Sequence, residues 1–269
     1  MFSQIRLERQ EFDLPDRIRE RSEEFARRSL AFLFPHFRTR ETQAPDLVAE
    51  FEALCLLGQE VISPLLGPSQ GDCGHIYQCF AEALPRIREE LREDAEWMLQ
   101  TDPAAESLDE VILCYPGFLA IAVYRIAHFF YAQQVPIFPR LLGEFAHRET
   151  GVEIHPGAQI ATPFSIDHGG GVVIGETAVI GPRARIYQGV TLGALAVKKK
   201  FAGTKRHPTL EEDVVLYAGA TILGGDTVVG AGSIIGGNVW LTESVPPRSI
   251  VTFQSSTSAR ADDAIEYHI

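Results

Sequence analysis

Residues 151–193 read GVEIHPGAQIATPFSIDHGGGVVIGETAVIGPRARIYQGVTLG and place an aliphatic residue at every sixth position. The series begins at Ile154 and reaches Leu192 with a single step of eight residues, and small or β-branched residues follow four places after most members. Such a period is typical of a triangular solenoid, in which each unit forms one flat side and three units form a coil. We therefore predict a left-handed parallel β-helix of hexapeptide repeats.

The repeat resumes further along the chain, but its register there is ambiguous. One series runs through Leu223, Val229, Ile235 and Leu241, whereas Leu216 and Ile222 also fit a six-residue step. A β-sandwich would instead show a period of two with turns about every 8–12 residues. Helices are excluded in this half because glycine is frequent and β-branched residues dominate.

Residues 194–207, ALAVKKKFAGTKRH, interrupt the period and are predicted to form a loop extruded from the stack. Binding groups concentrate on such loops. The loop is the most basic stretch of an acidic chain and contains Lys198, Lys199, Lys200, Lys205 and Arg206. Solubility explains these charges as well as an anion-binding site does.

The N-terminal half has a different pattern. Residues 1–149 carry apolar residues at helical spacing and predict an α-helical domain, so the fold class is α+β. Residues 150–250 form the predicted β-helix domain, and residues 251–269 form a polar tail. The expected helices cover residues 16–34, 46–65 and 81–99, a short helix capped by Ser107, and helices opened by Pro116 and Pro139.

Composition narrows the function classes. The net charge of -12 disfavours a general binder of nucleic acid or anionic membrane. No stretch reads as a signal peptide or membrane span, and the four cysteines form no CxxC pair, so we expect reduced thiols in a cytoplasmic protein. Cys73, His75 and Cys79 lie close together, but a fourth metal ligand is missing and we predict no metal there.

Three histidines of the β-helix half each have a charged residue nearby, and they are the first candidates for chemistry: His155, His168 and His207. Glu153 and His168 are 15 residues apart, close to one coil, so they are expected at one edge of the solenoid on neighbouring coils. A carboxylate beside an imidazole orients it and raises its basicity.

The segments DHGGG, GET, QGVTLG and RHP, in this order and with YRIAH upstream, resemble the serine acetyltransferases of the hexapeptide-repeat superfamily. The resemblance covers about residues 100–250. It implies transfer of an acetyl group from acetyl-CoA to the hydroxyl of L-serine, the first step of cysteine biosynthesis. Acetyl-CoA is then a co-substrate, and no cofactor is bound permanently.

The resemblance also implies residue roles. His168 would be the general base, and Glu153 its carboxylate partner, although the family has Asp there. The substrate serine would be held by four further residues: Asp102, Asp167, Arg206 and His207. Acetyl-CoA would lie near the loop, whose lysines suit its phosphates, and would contact five residues: Gly193, Ala194, Lys205, Ala218 and Gly219. Ala194 replaces a family glycine, and the loop before RHP is longer than usual.

Assembly and partners follow from the same resemblance. It implies a trimer with active sites between prisms, or a dimer of trimers joined by the helical half. L-Cysteine is expected as a feedback inhibitor in the serine site. The terminal Ile269 fits the family pattern of inserting into cysteine synthase (O-acetylserine sulfhydrylase).

Three other functions stay open at this point. A γ-class carbonic anhydrase holds zinc with three histidines on the same fold, which His155, His168 and His207 could imitate, although their spacing lacks the usual close pair. An acetyltransferase for a sugar or another hydroxyl acceptor is a second alternative. A silent scaffold that binds only cysteine synthase is the third, because Glu153 and Ala194 depart from the family pattern.

Overall fold

The computed structural model describes residue 4 and residues 14–39, 46–66, 72–195 and 204–254. In this part of the chain, six α-helices precede the first strand, which confirms the predicted helical half. They are α1 (Ile18–Leu33), α2 (Leu47–Ile62), α3 (Cys73–Thr101), α4 (Leu108–Cys114), α5 (Pro116–Ala132) and α6 (Phe138–Thr150). No single helix of the described ranges has the length and hydropathy of a membrane span. Taken together, α4 and α5 have both, but the pair is bent by 75°.

Short parallel strands follow and build the predicted solenoid. They are β1 (Glu153–Ile154), β2 (Gln159–Ile160), β3 (Phe164–Ile166), β4 (Val173–Ile174), β5 (Val179–Ile180), β6 (Ala184–Ile186), β7 (Thr191–Gly193), β8 (Thr209–Leu210), β9 (Val215–Leu216), β10 (Thr221–Leu223), β11 (Val228–Val229), β12 (Ile234–Ile235), β13 (Trp240–Leu241) and β14 (Ile250–Val251). Face 1 contains β1, β4, β7, β10 and β13; face 2 contains β2, β5, β8 and β11; face 3 contains β3, β6, β9, β12 and β14.

The interior of the prism follows the six-residue period. Ile154 pairs with Ile174 and Ile160 with Ile180, each one coil apart, and all four are buried. The small residues that follow four places later are buried as well; among them are Ala158, Ala178, Ala184 and Val190. Only a small side chain fits the narrow corner where one face turns into the next.

The ambiguous register resolves in favour of Leu216 and Ile222, which are buried and point into the prism. Leu223 is wrong as a member of the inward series. It lies half-buried on the outside of face 1, where its side chain packs on Gly193. The step from Ile222 to Val229 spans seven residues, because five residues (223–227) separate Ile222 from β11, whereas four separate Ile154 and Ile174 from the next strand.

Two edges of the prism border face 1, the DH edge and the loop edge. At the DH edge, face 3 turns into face 1 through residues 167–172, 187–190, 217–220 and 236–239. At the loop edge, face 1 turns into face 2 through residues 155–158, 175–178 and 224–227, and the chain leaves the stack between Gly193 and Thr209. The predicted loop falls in this interval; its residues 196–203, with Lys198, Lys199 and Lys200, lie outside the described residues.

The first coil would leave carbonyl groups without partners, and α5 supplies the missing donors. Each coil donates its N–H groups to the following coil, as from Gln159 to the Ala178 carbonyl at 2.9 Å. Some carbonyls of the first coil accept an N–H from the second coil, as Gly151 does from Gly171, whereas others face away from the stack, where an unpaired buried group is costly. Helix α5 covers them: Tyr124 Oη lies 2.6 Å from the Ala158 oxygen, Arg125 Nη1 3.4 Å from the Ile160 oxygen, and His128 Nδ1 2.7 Å from the Pro156 oxygen.

A buried ion pair strengthens this cap. Arg125 bonds both oxygens of Asp94 in α3, at 2.6 Å and 2.9 Å, and Asp94 also accepts the backbone N–H of Phe164 at 2.9 Å. Arg125 is 6% exposed and Asp94 is completely buried. The start of α5 is equally close to the first coil, because a Cβ at Gly117 would lie 2.0 Å from the carbonyl oxygen of Ile166.

Replacing Arg125 by methionine is expected to lower the free energy of unfolding by about 3–5 kcal/mol, because Asp94 would be left buried without its cation. Arg86→Met is the matched control: its pair with Glu90 lies on the exposed face of the same helix as Asp94 and should cost about 0–1 kcal/mol. Urea unfolding at one protein concentration measures both changes. Equal losses for the two variants would contradict the cap.

Candidate active site

The DH edge presents an exposed imidazole beside a carboxylate. Asp167 follows β3, and His168 Nδ1 lies 3.8 Å from its Oδ1. The His168 side chain is 70% exposed, and its φ of 58° is in the left-handed region. Non-glycine residues seldom adopt this conformation, and such strain is concentrated at functional sites. The imidazole is thus presented to whatever binds at this edge.

A small pocket next to His168 brings two predicted carboxylates together. Asp102 and Asp167 both line it, with Met98, Thr101, Tyr115, Ser165, Ile166, Arg185 and Tyr187. Tyr115 donates a hydrogen bond of 2.5 Å to Asp102 Oδ2, and the Ala104 N–H donates to Oδ1 at 2.8 Å. These bonds lower the pKa of the Asp102 carboxyl, so it is ionised at neutral pH. Two carboxylates at one pocket suit an ammonium group.

Glu153 lies on β1, in register with Val173 of the next coil. Its side chain leaves from face 1, on the strand beside β4, and β4 follows the corner that carries His168. Among the described residues, the carboxylate within 4.0 Å of the His168 ring is that of Asp167 rather than that of Glu153. The orienting role of Glu153 stays a prediction.

The loop edge holds His207 in one tautomer. The ring is 8% exposed and lies over Gly175, where a Cβ would be 2.1 Å from Nε2. Its Nδ1 accepts a hydrogen bond from the Thr177 backbone N–H at 3.0 Å and lies 2.9 Å from Thr177 Oγ1. Because Nδ1 is an acceptor, the proton of the neutral ring is on Nε2.

Thr177 also fixes the backbone on which Arg206 and His207 stand. Its Oγ1 accepts the backbone N–H of Arg206 at 2.9 Å and that of His207 at 3.1 Å. The return of the loop to the solenoid is thereby tied to the GET segment. Sequence reasoning quoted that segment without a role for Thr177.

The guanidinium of Arg206 is held by Glu176. Its Nη2 donates to Glu176 Oε2, and Tyr131 of α5 donates to the other oxygen at 2.9 Å. Although partial burial opposes it, these two bonds keep the pKa of the Glu176 carboxyl below its usual value. Arg206 Nη1 is buried and has no hydrogen-bond acceptor among the described residues.

His155 stands at the same edge and is also neutral. Its Nδ1 accepts the Gly157 N–H at 3.0 Å, so Nε2 carries the proton, and its ring contacts Tyr131 edge-on at 5.7 Å. Burial, together with Arg140, lowers the pKa of His155 to about 4. Burial, together with Arg206, lowers the pKa of His207 to about 4 as well. The loop edge therefore offers N–H donors, whereas the DH edge offers carboxylates.

The residues predicted to contact acetyl-CoA are also divided. Gly193, Ala194 and Lys205 lie at the loop edge, and Ala218 and Gly219 at the DH edge. The Lys205 ammonium donates to the carbonyl oxygens of Thr177 at 2.7 Å and Pro208 at 3.1 Å. Burial lowers its pKa. In this structure Lys205 fastens the end of the loop to the solenoid.

Within one chain, the predicted site thus occupies two separate edges. Asp102, Asp167 and His168 are at the DH edge, and Arg206 and His207 at the loop edge. Sequence reasoning placed them in one site but did not assign them to edges. It also missed Tyr115, Tyr131 and Glu176; of these, Glu176 lies in the GET segment, whereas the quoted motifs include neither tyrosine.

The histidine and cysteine clusters show no metal-binding arrangement. Cys79 Sγ lies 3.7 Å from His75 Nε2. Across the described ranges, no group of three or more His, Cys, Asp or Glu side chains is arranged to hold a metal ion. Of the three histidines considered for zinc, His168 is at a different edge from His155 and His207.

The chain is similar to known proteins. No protein-family model matches the chain. Over 191 residues it is 51% identical to a plasmid serine acetyltransferase of Synechococcus elongatus, a match that covers 69% of this chain and 59% of the relative. The chain thus spans about three fifths of the length of that curated relative.

Two solved structures share the fold over most of both chains. Serine acetyltransferase 1 of Entamoeba histolytica, in complex with L-cysteine, has a TM-score of 0.77 and 36% identity, covering 85% of this chain and 86% of that one. The Neisseria gonorrhoeae serine acetyltransferase in complex with serine has a TM-score of 0.61 and 28% identity, covering 92% and 98%.

The rings of His155 and His207 are expected to stay neutral, with the proton on Nε2, until the pH falls close to 4. Unfolded histidines titrate near 6.5, so the unfolded chain takes up more protons and the free energy of unfolding falls as pH drops from about 6.5 to about 4. Side-chain nitrogen NMR spectra, assigned with His155→Gln and His207→Gln, measure both states. A ring that titrates near pH 6.5, or carries its proton on Nδ1, would contradict the hydrogen-bond network.

Proposed function

The chain belongs to the serine acetyltransferase family, and we propose that it transfers the acetyl group of acetyl-CoA to the hydroxyl of L-serine, giving O-acetyl-L-serine and CoA. The observation that carries the proposal is the exposed His168 imidazole beside the pocket of Asp102 and Asp167. These residues provide a base next to a subsite for an ammonium group. An amino-acid alcohol presents both matching groups, whereas a sugar has no ammonium.

The chemistry requires a base and an ordered pair of substrates. With the serine ammonium between Asp102 and Asp167, the hydroxyl lies next to His168. The imidazole accepts the hydroxyl proton as Oγ attacks the thioester carbonyl, and it returns a proton to the CoA sulfur when the C–S bond breaks. Transfer is direct, without an acetyl-enzyme. Glu153 is the proposed carboxylate partner of His168.

The serine carboxylate would be bound by the loop edge. Arg206 carries a positive charge and His207 carries its ring proton on Nε2, so both would donate to an anion. The two edges of one prism are separate, but both border face 1. If three prisms turn face 1 toward a common axis, the DH edge of each meets the loop edge of the next in a closed ring. A homotrimer would thereby complete three sites, and the helical half is the candidate for joining two trimers.

Acetyl-CoA is the proposed co-substrate, and it would lie along face 1 between neighbouring prisms. The residues predicted for it flank this face from both edges: Gly193, Ala194 and Lys205 on one side, and Ala218 and Gly219 on the other. The outward residues of face 1 beyond Glu153 are uncharged: Val173, Thr191, Thr221 and Trp240. Such a surface suits the pantetheine arm, and the lysines at 198–200 remain the predicted phosphate contacts.

L-Cysteine is the proposed inhibitor. The Entamoeba histolytica relative was solved with L-cysteine and the Neisseria gonorrhoeae relative with serine. The two amino acids share the ammonium and carboxylate that the two edges recognise, so cysteine would compete with serine. Binding of cysteine synthase through Ile269 stays a prediction, because residues 255–269 lie outside the described part. The four free cysteines suit a reducing compartment such as the cytoplasm.

His168→Ala is expected to lower kcat by about 10²–10⁴-fold, because the positioned base is lost. His147→Ala is the control, since this histidine is exposed on α6, where its ring pairs with Glu144. CoA release measured with acetyl-CoA against a panel of amino acids and sugars tests the proposal. A preference for another acceptor, or a His168→Ala enzyme as active as the His147→Ala control, would overturn it.

Mixed assemblies test the division between the edges. His168→Ala and Arg206→Ala chains, co-expressed with different tags and each nearly inactive alone at low serine, should together recover about one quarter of wild-type activity, because random mixing gives that share of interfaces two intact edges. His168→Ala mixed with Asp102→Ala is the matched control and should recover nothing, since both changes are on the DH edge. Equal recovery in both mixtures, or none in the first, contradicts a site shared between copies.

A further inference from the structure

The helical half is connected to Arg206 through the carboxylate of Glu176. Tyr131, near the end of α5, donates its hydroxyl hydrogen to Glu176 Oε1 at 2.9 Å, and the other oxygen of Glu176 bonds Arg206 Nη2. The side chains of Glu176 and Arg206 are about three quarters buried, at 27% and 25% exposure. A bridge of two hydrogen bonds thus joins α5 to the loop edge.

This bridge restricts the position of the Arg206 guanidinium. Arginine is a long side chain with large rotamer entropy, so an unrestrained guanidinium samples many positions. The backbone of Arg206 is tied down by Thr177, and its guanidinium by Glu176. Nη1 is then left buried and without an acceptor among the described residues. Glu176 can hold this geometry only if it is itself fixed, and the Tyr131 hydroxyl supplies its second anchor.

The Tyr131 hydroxyl also occupies one of the two hydrogen-bonding oxygens of Glu176. A carboxylate bonded only to Arg206 would draw the cation toward itself and compete with a bound anion. With one oxygen engaged by Tyr131, Glu176 holds Nη2 and competes less strongly with a bound anion for the guanidinium. The surroundings favour this arrangement, because Gly157 leaves no room for a side chain: a Cβ there would lie 2.9 Å from Tyr131 Oη and 3.0 Å from Glu176 Cγ.

We propose that Tyr131 is a positioning residue for the amino-acid substrate: through Glu176 it holds the Arg206 guanidinium where it can bind the substrate carboxylate. The proposal rests on the proposed function, since it assigns the anion to serine or cysteine. It makes the substrate affinity of the solenoid depend on a helix of the N-terminal half.

Tyr131→Phe is expected to raise the KM for serine about fivefold, while kcat and the KM for acetyl-CoA stay within twofold of wild type. Tyr124→Phe is the matched control: the same helix loses a hydroxyl bonded to the solenoid, but at the Ala158 carbonyl. This variant should be less stable, with an unchanged KM for serine. An equal rise of KM in both variants would assign the effect to the cap and overturn the proposal.

A double-mutant cycle separates positioning from a general loss of structure. Glu176→Ala should raise the KM for serine more than Tyr131→Phe does, and adding Tyr131→Phe to Glu176→Ala should have no further effect. Additive effects in the double variant would show that Tyr131 acts by another route and would overturn the proposal.

Calorimetric titration with L-serine and L-cysteine gives a readout that needs no turnover. Both Kd values should rise about fivefold in Tyr131→Phe and stay unchanged in Tyr124→Phe. If the wild-type protein binds the amino acids but transfers no acetyl group, the proposed function fails while this test still stands. If Tyr131→Phe binds both amino acids as tightly as wild type, the positioning role fails whatever the activity.

Discussion

The first coil of the solenoid has carbonyl groups that no earlier coil can satisfy, and the hydrogen bonds from α5 to these groups fix the relation between the two halves of the chain. A parallel stack can be closed at this end only by donors from outside it. Tyr124, Arg125 and His128 supply them from one helix, and Asp94 neutralises the buried guanidinium. The helical half is therefore the end cap of the solenoid.

The site depends on this cap at both ends of α5. Gly117, near its start, packs against the carbonyl of Ile166, one residue before Asp167, and places α3 and α4 so that Asp102 and Tyr115 complete the pocket. Tyr131, near its end, reaches Glu176 at the loop edge. One helix thus spans the base of the prism from the carboxylate-rich edge to the edge of N–H donors. The complementary charges of the two edges match the two ends of a zwitterionic amino acid.

The sequence predicted the parts of the fold that follow from steric fit. The interior of the prism admits only aliphatic residues and its corners only small ones, so Ile154, Ile174 and Ala158 could be placed from the period alone. The register failed at Leu223, because Ile222 and Leu223 are both aliphatic and the following corner has an extra residue. The six-residue pattern fits both residues there. In the structure Leu223 packs on Gly193 outside the prism, and Ile222 is buried inside it.

The chemistry of the site was less predictable, for a physical reason. His168, Asp167 and Arg206 were recognisable from motifs, but their distribution over two edges depends on how many residues each coil uses and where the loop leaves the stack. Burial and Arg140 keep His155 neutral, and the backbone N–H of Gly157 fixes its tautomer, which no side-chain motif encodes. The link from Tyr131 to Glu176 joins residues 45 positions apart, one of them in an apolar helix whose pattern indicates only packing.

The proposed function requires a substrate that is held between two copies of the chain. A crystal structure with L-serine bound tests this most directly. We expect the ammonium within hydrogen-bond distance of Asp102 and Asp167 of one copy, the carboxylate on Arg206 and His207 of its neighbour, and the hydroxyl facing His168. Serine bound by a single copy, or a His168 ring turned away from the hydroxyl, would contradict it.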